Sequence, residues 1–411
     1  MSDATESETP EGSSEAASDT SSSIPAPTPP PTPGTPGEQL LDDAVSKGAS
    51  DIHLQPSGKD VLLRIRIGGI LEDHPMPDGL SPFELMREYK SKARLDLRPS
   101  AHPEEGVFNH STTNGSFSVR VSTYPCVPGE KVTLQLAPSN ALLDFESLGM
   151  TQAQIQSVTR LSRRQGGLLL VAGPWSSGKT ATLYSLAQQF NQDALNVVTI
   201  EDPVELELAG LNQAQVNRRE GLTYADGMRS IIRQDADVIL CGEILDLETG
   251  RVVMDACLQA GLRVMSSIHC ESALQGIQWL LDIGIRSDNL AHALSGIIVQ
   301  RLLRKLCSKC AEPKSPGNKL REQVGFPLNP DAEFYVGKGC EVCNGTGYKG
   351  RTGVFEIVPI SAEMRELILK ESPTVLLKKA LRKQGIETVR RAGIKKAEAG
   401  TTTVHEVVRV T

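Results

Sequence analysis

A chain of 411 residues is too long for one ordinary domain, so two domains plus an appendage are expected. No apolar run reaches the roughly 18 residues of a spanning helix, and the N-terminus is acidic without an apolar signal core. The chain is therefore expected in the cytoplasm or at a membrane surface. Eight cysteines fit a reducing compartment without disulfides: four form two Cys-x-x-Cys pairs, and Cys126, Cys241, Cys257 and Cys270 stand singly in apolar surroundings.

From Met1 to Pro36 there are six acidic residues, no basic ones and eight of the chain's 25 prolines. Such a stretch cannot bury enough apolar surface to order itself and reads as a disordered tail with polyproline character. Without its six charges the formal −7 of the chain falls to about −1, so no strong field points to nucleic acid, and no nucleic-acid partner is expected.

Between about residues 37 and 140 the pattern is that of a small α+β domain. Glu38–Ala49 reads as a helix, Asp51–Gln55 and Val61–Leu71 as strands, Pro82–Leu95 as an amphipathic helix, and Phe117–Leu136 as a hairpin. Arg64, Arg66 and Arg120 fall on strand-like segments. Arg64 and Arg66 are two apart and share a face, which suits two solvated side chains or a paired anion grip.

Next comes Gly173-Pro174-Trp175-Ser176-Ser177-Gly178-Lys179-Thr180, behind the apolar run Leu168–Ala172 and ahead of a helical pattern that starts at Ala181. A glycine-bracketed loop between strand and helix wraps backbone N–H groups around phosphates. Lys179 meets the β/γ oxygens, Thr180 offers its hydroxyl to Mg2+, and the helix turns its positive end to the anion. The chain is expected to bind a nucleoside triphosphate with Mg2+.

Strand and helix signals then alternate: Asn196–Ile200, Tyr224–Gln234, Val238–Cys241, Leu247–Ala260 and Arg263–Ile268. This predicts a largely parallel sheet with nucleotide at the carboxyl ends of its strands. Three clusters fall at such ends. Thr199–Glu205 carries Glu201 and Glu205, four apart, which suits an exposed pair or a functional one. Asp237–Glu243 is an apolar strand ending in Glu243, a carboxylate placed to orient the attacking water or hold the metal's water shell. Ser266–His269 delivers an imidazole. Helix capping is the other use of an acid at Glu243, and His269 alone also suits a structural histidine.

Cys307-x-x-Cys310 and Cys340-x-x-Cys343, 29 residues apart and followed by the Gly-rich Asn344–Gly350, have the spacing of a closed tetrahedral zinc site at about residues 305–352. The last fifty residues are mildly basic, including Lys378, Lys379, Arg382 and Lys383. A solvated helix face accounts for them first, and an anionic membrane or nucleic-acid contact is the other reading.

The order of Ala49-Ser50-Asp51-Ile52-His53, Arg120–Thr123, the loop at 173–180, Thr199–Glu205, Leu211–Asn217, Ile232–Asp235, Gly242-Glu243-Ile244 and Ser267-Ile268-His269 resembles the secretion ATPases of type II secretion and type IV pilus assembly. The resemblance runs from about Glu38 to the C-terminus. It implies an α/β chain: a RecA-like P-loop ATPase domain at 141–411 with a zinc-binding insert, preceded by a small α+β, PAS-like domain at 37–140. It further implies a hexameric ring hydrolysing ATP at the junction of the two domains, at the cytoplasmic face of a bacterial inner membrane. Partners would be an inner-membrane platform protein and the cytoplasmic domain of a membrane docking protein.

The implied catalytic set is Lys179, Glu201, Glu243 and His269, with Arg64, Arg66 and Arg120 brought by the first domain. Gly173–Ala181 would bind nucleotide. The tetracysteine insert resembles assembly and export ATPases rather than retraction motors. The chain departs from the family at Leu245, where an Arg is usual, at Leu262 for a His, at Gly68 for an Asp and at Gln135 for an Arg. A separate N-terminal docking domain is expected to be absent, the acidic tail standing in its place. The departures also suit a scaffold subunit that binds nucleotide with little or no hydrolysis.

Overall fold

The structure is a computed structural model describing residues 34–58, 60–77, 81–112, 115–127, 129–138, 144–191 and 195–411. The tail expected to be disordered lies, apart from its last residues, outside the described residues.

The first sheet holds strands β1 (Ala49–Ser57), β2 (Asp60–Ile67), β3 (Ile70–Asp73), β4 (Glu105–Thr112), β5 (Gly115–Cys126) and β6 (Gly129–Pro138), in the order β3-β2-β1-β6-β5-β4. All neighbours are antiparallel. Alternation along each strand sends Ile52, Leu54, Ile65, Val119, Val121, Val132 and Leu134 to one face, where they are buried with Leu41, Leu85 and Tyr89 of the helices Pro36–Ser46 and Pro82–Lys92. Ser81 starts the second helix: its hydroxyl accepts the Glu84 amide while the Glu84 carboxylate accepts the Ser81 amide.

The opposite face is polar. Directly opposed residues share a face, so Arg66, Asp51, Gln135 and Arg120 form one row across four strands, and Arg64, His53, Thr133 and Ser122 the next.

Two elements differ from expectation. Val61–Leu71 is two strands, because Gly68 and Gly69 turn the chain with φ of 56° and 85°. Glu105–Thr112 is an edge strand whose two large apolar residues, Val107 and Phe108, are adjacent, so it gives little periodic signal.

The second sheet holds β7 (Leu168–Ala172), β8 (Val197–Glu201), β9 (Asn212–Gln215), β10 (Val238–Glu243), β11 (Arg263–Ile268) and β12 (Leu294–Leu306). Beyond them come a short antiparallel pair, β13 (Ala311–Pro313) and β14 (Tyr335–Gly337), and then the sheet's last strand, β15 (Tyr348–Pro359). The order is β15-β12-β7-β11-β10-β8-β9. Every pair is parallel except β12 with β15. All five residues of β7 and of β8 are buried, as a sheet covered by helices on both faces requires. The expected largely parallel sheet is present. One apolar core lies beneath the Tyr224–Ile231 and Leu247–Leu258 helices, another under Lys179–Phe190.

Candidate nucleotide site

The phosphate loop leaves β7 and closes on the helix Lys179–Phe190. Gly178, immediately before that helix, has φ of +85°, and a Cβ there would sit 2.9 Å from Gln300 Nε2. Only glycine satisfies both the left-handed backbone and the close approach. Gln300, buried on β12, donates from Nε2 to the carbonyls of Ser177 (2.9 Å) and Gly178 (3.0 Å) and accepts from Thr182 Oγ1 at 2.7 Å. It pins the loop from beneath. Sequence reasoning passed over it, although a glutamine inside the apolar run Ile297–Leu303 was a visible signal.

Lys179 Nζ donates to the carbonyls of Gly173 and Pro174 and to His269 Nδ1, each at 3.1 Å. His269 Nε2 lies 2.7 Å from Glu243 Oε1. The imidazole therefore accepts from the ammonium on one side and donates Nε2–H to the carboxylate on the other. Its pKa is held down to about 4 by burial and by the Lys179 charge, so it is neutral. Burial lowers Lys179 to about 8 against the pull of Glu243, and raises Glu243 to about 7 against the pull of Lys179. Trp175 stacks on His269 with 3.9 Å between ring centroids while remaining 75 % exposed.

Glu201 and Glu205 are not exposed. Glu201 is buried and accepts from Tyr184 OH (2.5 Å), Thr199 Oγ1 (2.6 Å) and Gln213 Nε2 (3.1 Å). Desolvation raises it and the three donors oppose the rise. Glu205 accepts from Thr180 Oγ1 at 3.1 Å, and burial raises it too. Tyr184 holds the acidic segment by also accepting the Glu205 amide at 3.0 Å. Neither Tyr184 nor this pairing had a readable sequence signal.

One cavity of about 300 Å3 joins these parts: its walls include Trp175–Ala181, Glu201, Glu205, Glu243 and His269, with Arg120 and Gln135 from the first sheet. Of the three first-sheet arginines, only Arg120 reaches this wall, with its guanidinium 2.5 Å from Glu105. Arg64 pairs with Asp73 at 2.9 Å. Arg66 lies 3.8 Å from Asp51 and donates to the Gly69 carbonyl.

The four knuckle cysteines converge, every sulfur within 4.8 Å of the others. Cys307–Cys340 is 3.8 Å, and Cys310–Cys343 and Cys340–Cys343 are 3.7 Å. Four thiolates about 2.3 Å from one zinc would stand roughly 3.8 Å apart, so the donor set fits that ion. Burial raises the Cys343 thiol, but amide N–H groups of Cys340 and Gly347, both 3.2 Å from its sulfur, and the neighbouring Cys340 and Cys310 thiols outweigh it and lower the pKa.

The family described as Type II/IV secretion system protein matches residues 36–409. The chain belongs to this family. It is 37 % identical over 373 residues to the type II secretion system ATPase E of Vibrio cholerae, covering 90 % of this chain and 74 % of that one. It is 35 % identical over 377 residues to the type IV pilus assembly ATPase PilB of Pseudomonas aeruginosa, covering 91 % and 66 %. The Legionella pneumophila ATPase DotB shares the fold, with a TM-score of 0.65 at 19 % identity over 92 % of this chain and 96 % of that one. The chain is thus a RecA-like member of the secretion ATPase family.

The departures from the family pattern take up definite places. Leu245 is 45 % exposed just beyond Glu243. Leu262 packs on the core under the Leu247–Leu258 helix. Gln135 stands between Asp51 and Arg120 in the polar row. At Gly68 a Cβ would come within 2.7 Å of Arg304 Cδ, so an acid there requires Arg304 to move. Arg304 is held by Glu406 Oε2 at 2.8 Å.

Proposed function

We propose that this chain is a Mg2+-dependent ATPase whose hexameric ring drives protein export or pilus assembly from the cytoplasmic face of an inner membrane. Family membership supports the ATPase role. The observation that carries it is the relay from Lys179 through neutral His269 to Glu243, which joins the phosphate loop to a partly buried carboxylate. Among the described residues no helix is long and apolar enough to cross a membrane. The partners proposed at that face are a platform protein and the cytoplasmic part of a docking protein.

Lys179 offers a desolvated positive charge to the β/γ-phosphate oxygens, where charge gathers as the terminal phosphoryl group departs. Glu243, at about 7, can take a proton from water at neutral pH, and His269 Nε2–H fixes the carboxylate's orientation. Thr180, beside Glu205, would hold Mg2+, which when bound supplies charge neutralisation on the phosphates. Glu201, saturated by three donors, orders the segment that carries Glu205. Cys307, Cys310, Cys340 and Cys343 would hold zinc, a structural ion. The first domain, about 37–140, would close over the second, with Arg120, which lines the cavity, the first-sheet arginine offered to the reacting phosphates.

Steady-state phosphate release by the full-length oligomer tests this reading. The wild-type chain should release phosphate only with Mg2+, and Glu243→Gln should keep ATP binding while losing roughly 10²- to 10⁴-fold in turnover. A wild-type ring that binds ATP without releasing phosphate would make the chain a scaffold subunit.

A further inference from the structure

We infer that Trp175 is a positioning residue for hydrolysis: its indole, stacked on the His269 imidazole, holds that ring in the plane from which Nε2–H reaches Glu243. This role rests on the reading of Lys179, His269 and Glu243 as the hydrolytic relay. Phosphate binding does not itself call for an indole, because the loop holds phosphate through backbone N–H groups and leaves the side chains between its glycines free. Yet one of the chain's two tryptophans stands there, on the third residue of the loop, and it is 75 % exposed. What it touches is the imidazole: the ring centroids are 3.9 Å apart and the planes 23° from parallel. Contact between two flat rings resists tipping of the imidazole, the motion that would carry Nε2–H off the carboxylate.

Two hydrogen bonds also fix the imidazole, one to Lys179 Nζ at Nδ1 and one to Glu243 at Nε2. In the proposed reaction only the second persists. When the ammonium turns to the β/γ oxygens, Nδ1 gives up its donor, and the ring is left with one hinge at Glu243 about which it can swing. The indole is the contact that remains to stop it. Trp175 and His269 also line a second cavity, bounded by Pro174, Cys270 and, from the helix Ala273–Asp282, Gln275 and Trp279. Without the indole the imidazole face opens to water on that side, and water competes for Nε2–H and for the carboxylate. A stack that orients the relay without touching phosphate should matter for turnover and leave ATP affinity nearly unchanged.

Phosphate release at saturating ATP and equilibrium binding of fluorescent N-methylanthraniloyl ATP, both on the full chain with Mg2+, test this. The proteins compared are wild type, Trp175→Ala, Trp175→Phe, His269→Ala and the double variant Trp175→Ala with His269→Ala. Trp175→Ala should lower turnover roughly tenfold to a hundredfold with ATP affinity within about threefold of wild type, and Trp175→Phe, which keeps a flat ring, should recover most of the rate. Because the indole acts through the imidazole, Trp175→Ala should cost no more than about twofold in the His269→Ala background. Turnover within about twofold of wild type in Trp175→Ala, alongside a slow His269→Ala, overturns the inference and leaves the relay standing, as does an undiminished further loss in the double variant. A loss of ATP affinity in place of turnover overturns it too, tying the indole instead to the Lys179 ammonium 6.0 Å from its ring centroid. If His269→Ala keeps wild-type turnover, or the wild type releases no phosphate, the relay fails and this role with it. Should Trp175→Ala melt below wild type, Trp175→Leu, which keeps bulk without a flat face, replaces it with the same expected loss.

Discussion

The polar face of the first sheet and the floor of the nucleotide cavity use the same side-chain chemistry in opposite ways. On the sheet, Arg64, Arg66 and Arg120 each lie beside a carboxylate, and two of those carboxylates are well exposed: Asp73 at 84 % and Glu105 at 51 %. Such pairs are solvated and contribute on the order of 0–1 kcal/mol. In the cavity, Lys179, Glu243 and His269 are largely shielded from water and their pKa values are displaced to about 8, 7 and 4. Groups held so far from their ordinary values cost folding energy and suit a site where a reaction uses them. A charge on a strand therefore says little until its solvent and its partner are known.

The sharpest way to break this contrast is to delete the cavity's ammonium. Lys179→Ala should lower turnover about a thousandfold or more, with an unchanged melting profile of the cysteine region; near wild-type phosphate release would remove the loop from the mechanism. Arg120→Ala comes next. Because Arg120 alone among the first-sheet arginines lines the cavity, its loss should cost on the order of 10² in turnover with little change in ATP affinity, whereas Arg64→Ala and Arg66→Ala should stay within about threefold. Equal behaviour of all three would make the first sheet a spacer.

The cysteine cluster tests whether the cavity is locally built. Wild-type protein prepared without chelator should carry about one zinc per subunit, and Cys310→Ser or Cys340→Ser should lose it, with unfolding near residues 305–352 and poor assembly but retained ATP binding. Metal analysis finding none would exclude the site.

The smallest expected effect is on pH. Glu243 must be deprotonated to accept a proton, so kcat/KM should rise with pH through about 7; Lys179 must stay protonated, so kcat/KM should fall above about 8. The free-enzyme profile should be a narrow bell between those values, and Glu243→Gln should lose its acid limb. A flat profile from pH 6 to 9 would detach both groups from the rate.

Much of the site was legible in one dimension. The phosphate loop announced itself because its glycines, its lysine and its flanking apolar strand are contiguous, and Leu168–Ala172 and Arg263–Ile268 are buried strands with the bounds their composition suggested. The Cys-x-x-Cys spacing likewise anticipated four sulfurs within reach of one ion. The Val61–Leu71 segment misled because its alternation continues across Gly68 and Gly69, where the backbone rather than the pattern turns the chain. Glu201 and Glu205 stayed ambiguous because burial, which separates a saturated internal carboxylate from a solvated one, is set by Tyr184, Thr199 and Gln213 together.

By itself, the sequence determined which local units exist: a P-loop between strand and helix, parallel strands ending in Glu201, Glu243 and His269, and a four-thiolate knuckle. Each depends on backbone preference, side-chain periodicity or short spacing, which neighbouring residues specify. Only the tertiary structure decided that Gln300 props the loop, that His269 bridges Lys179 to Glu243, and that Arg120 reaches the cavity while Arg64 and Arg66 do not. The order β15-β12-β7-β11-β10 and its register bring together residues up to about two hundred positions apart, and the solvent they exclude on meeting sets their protonation.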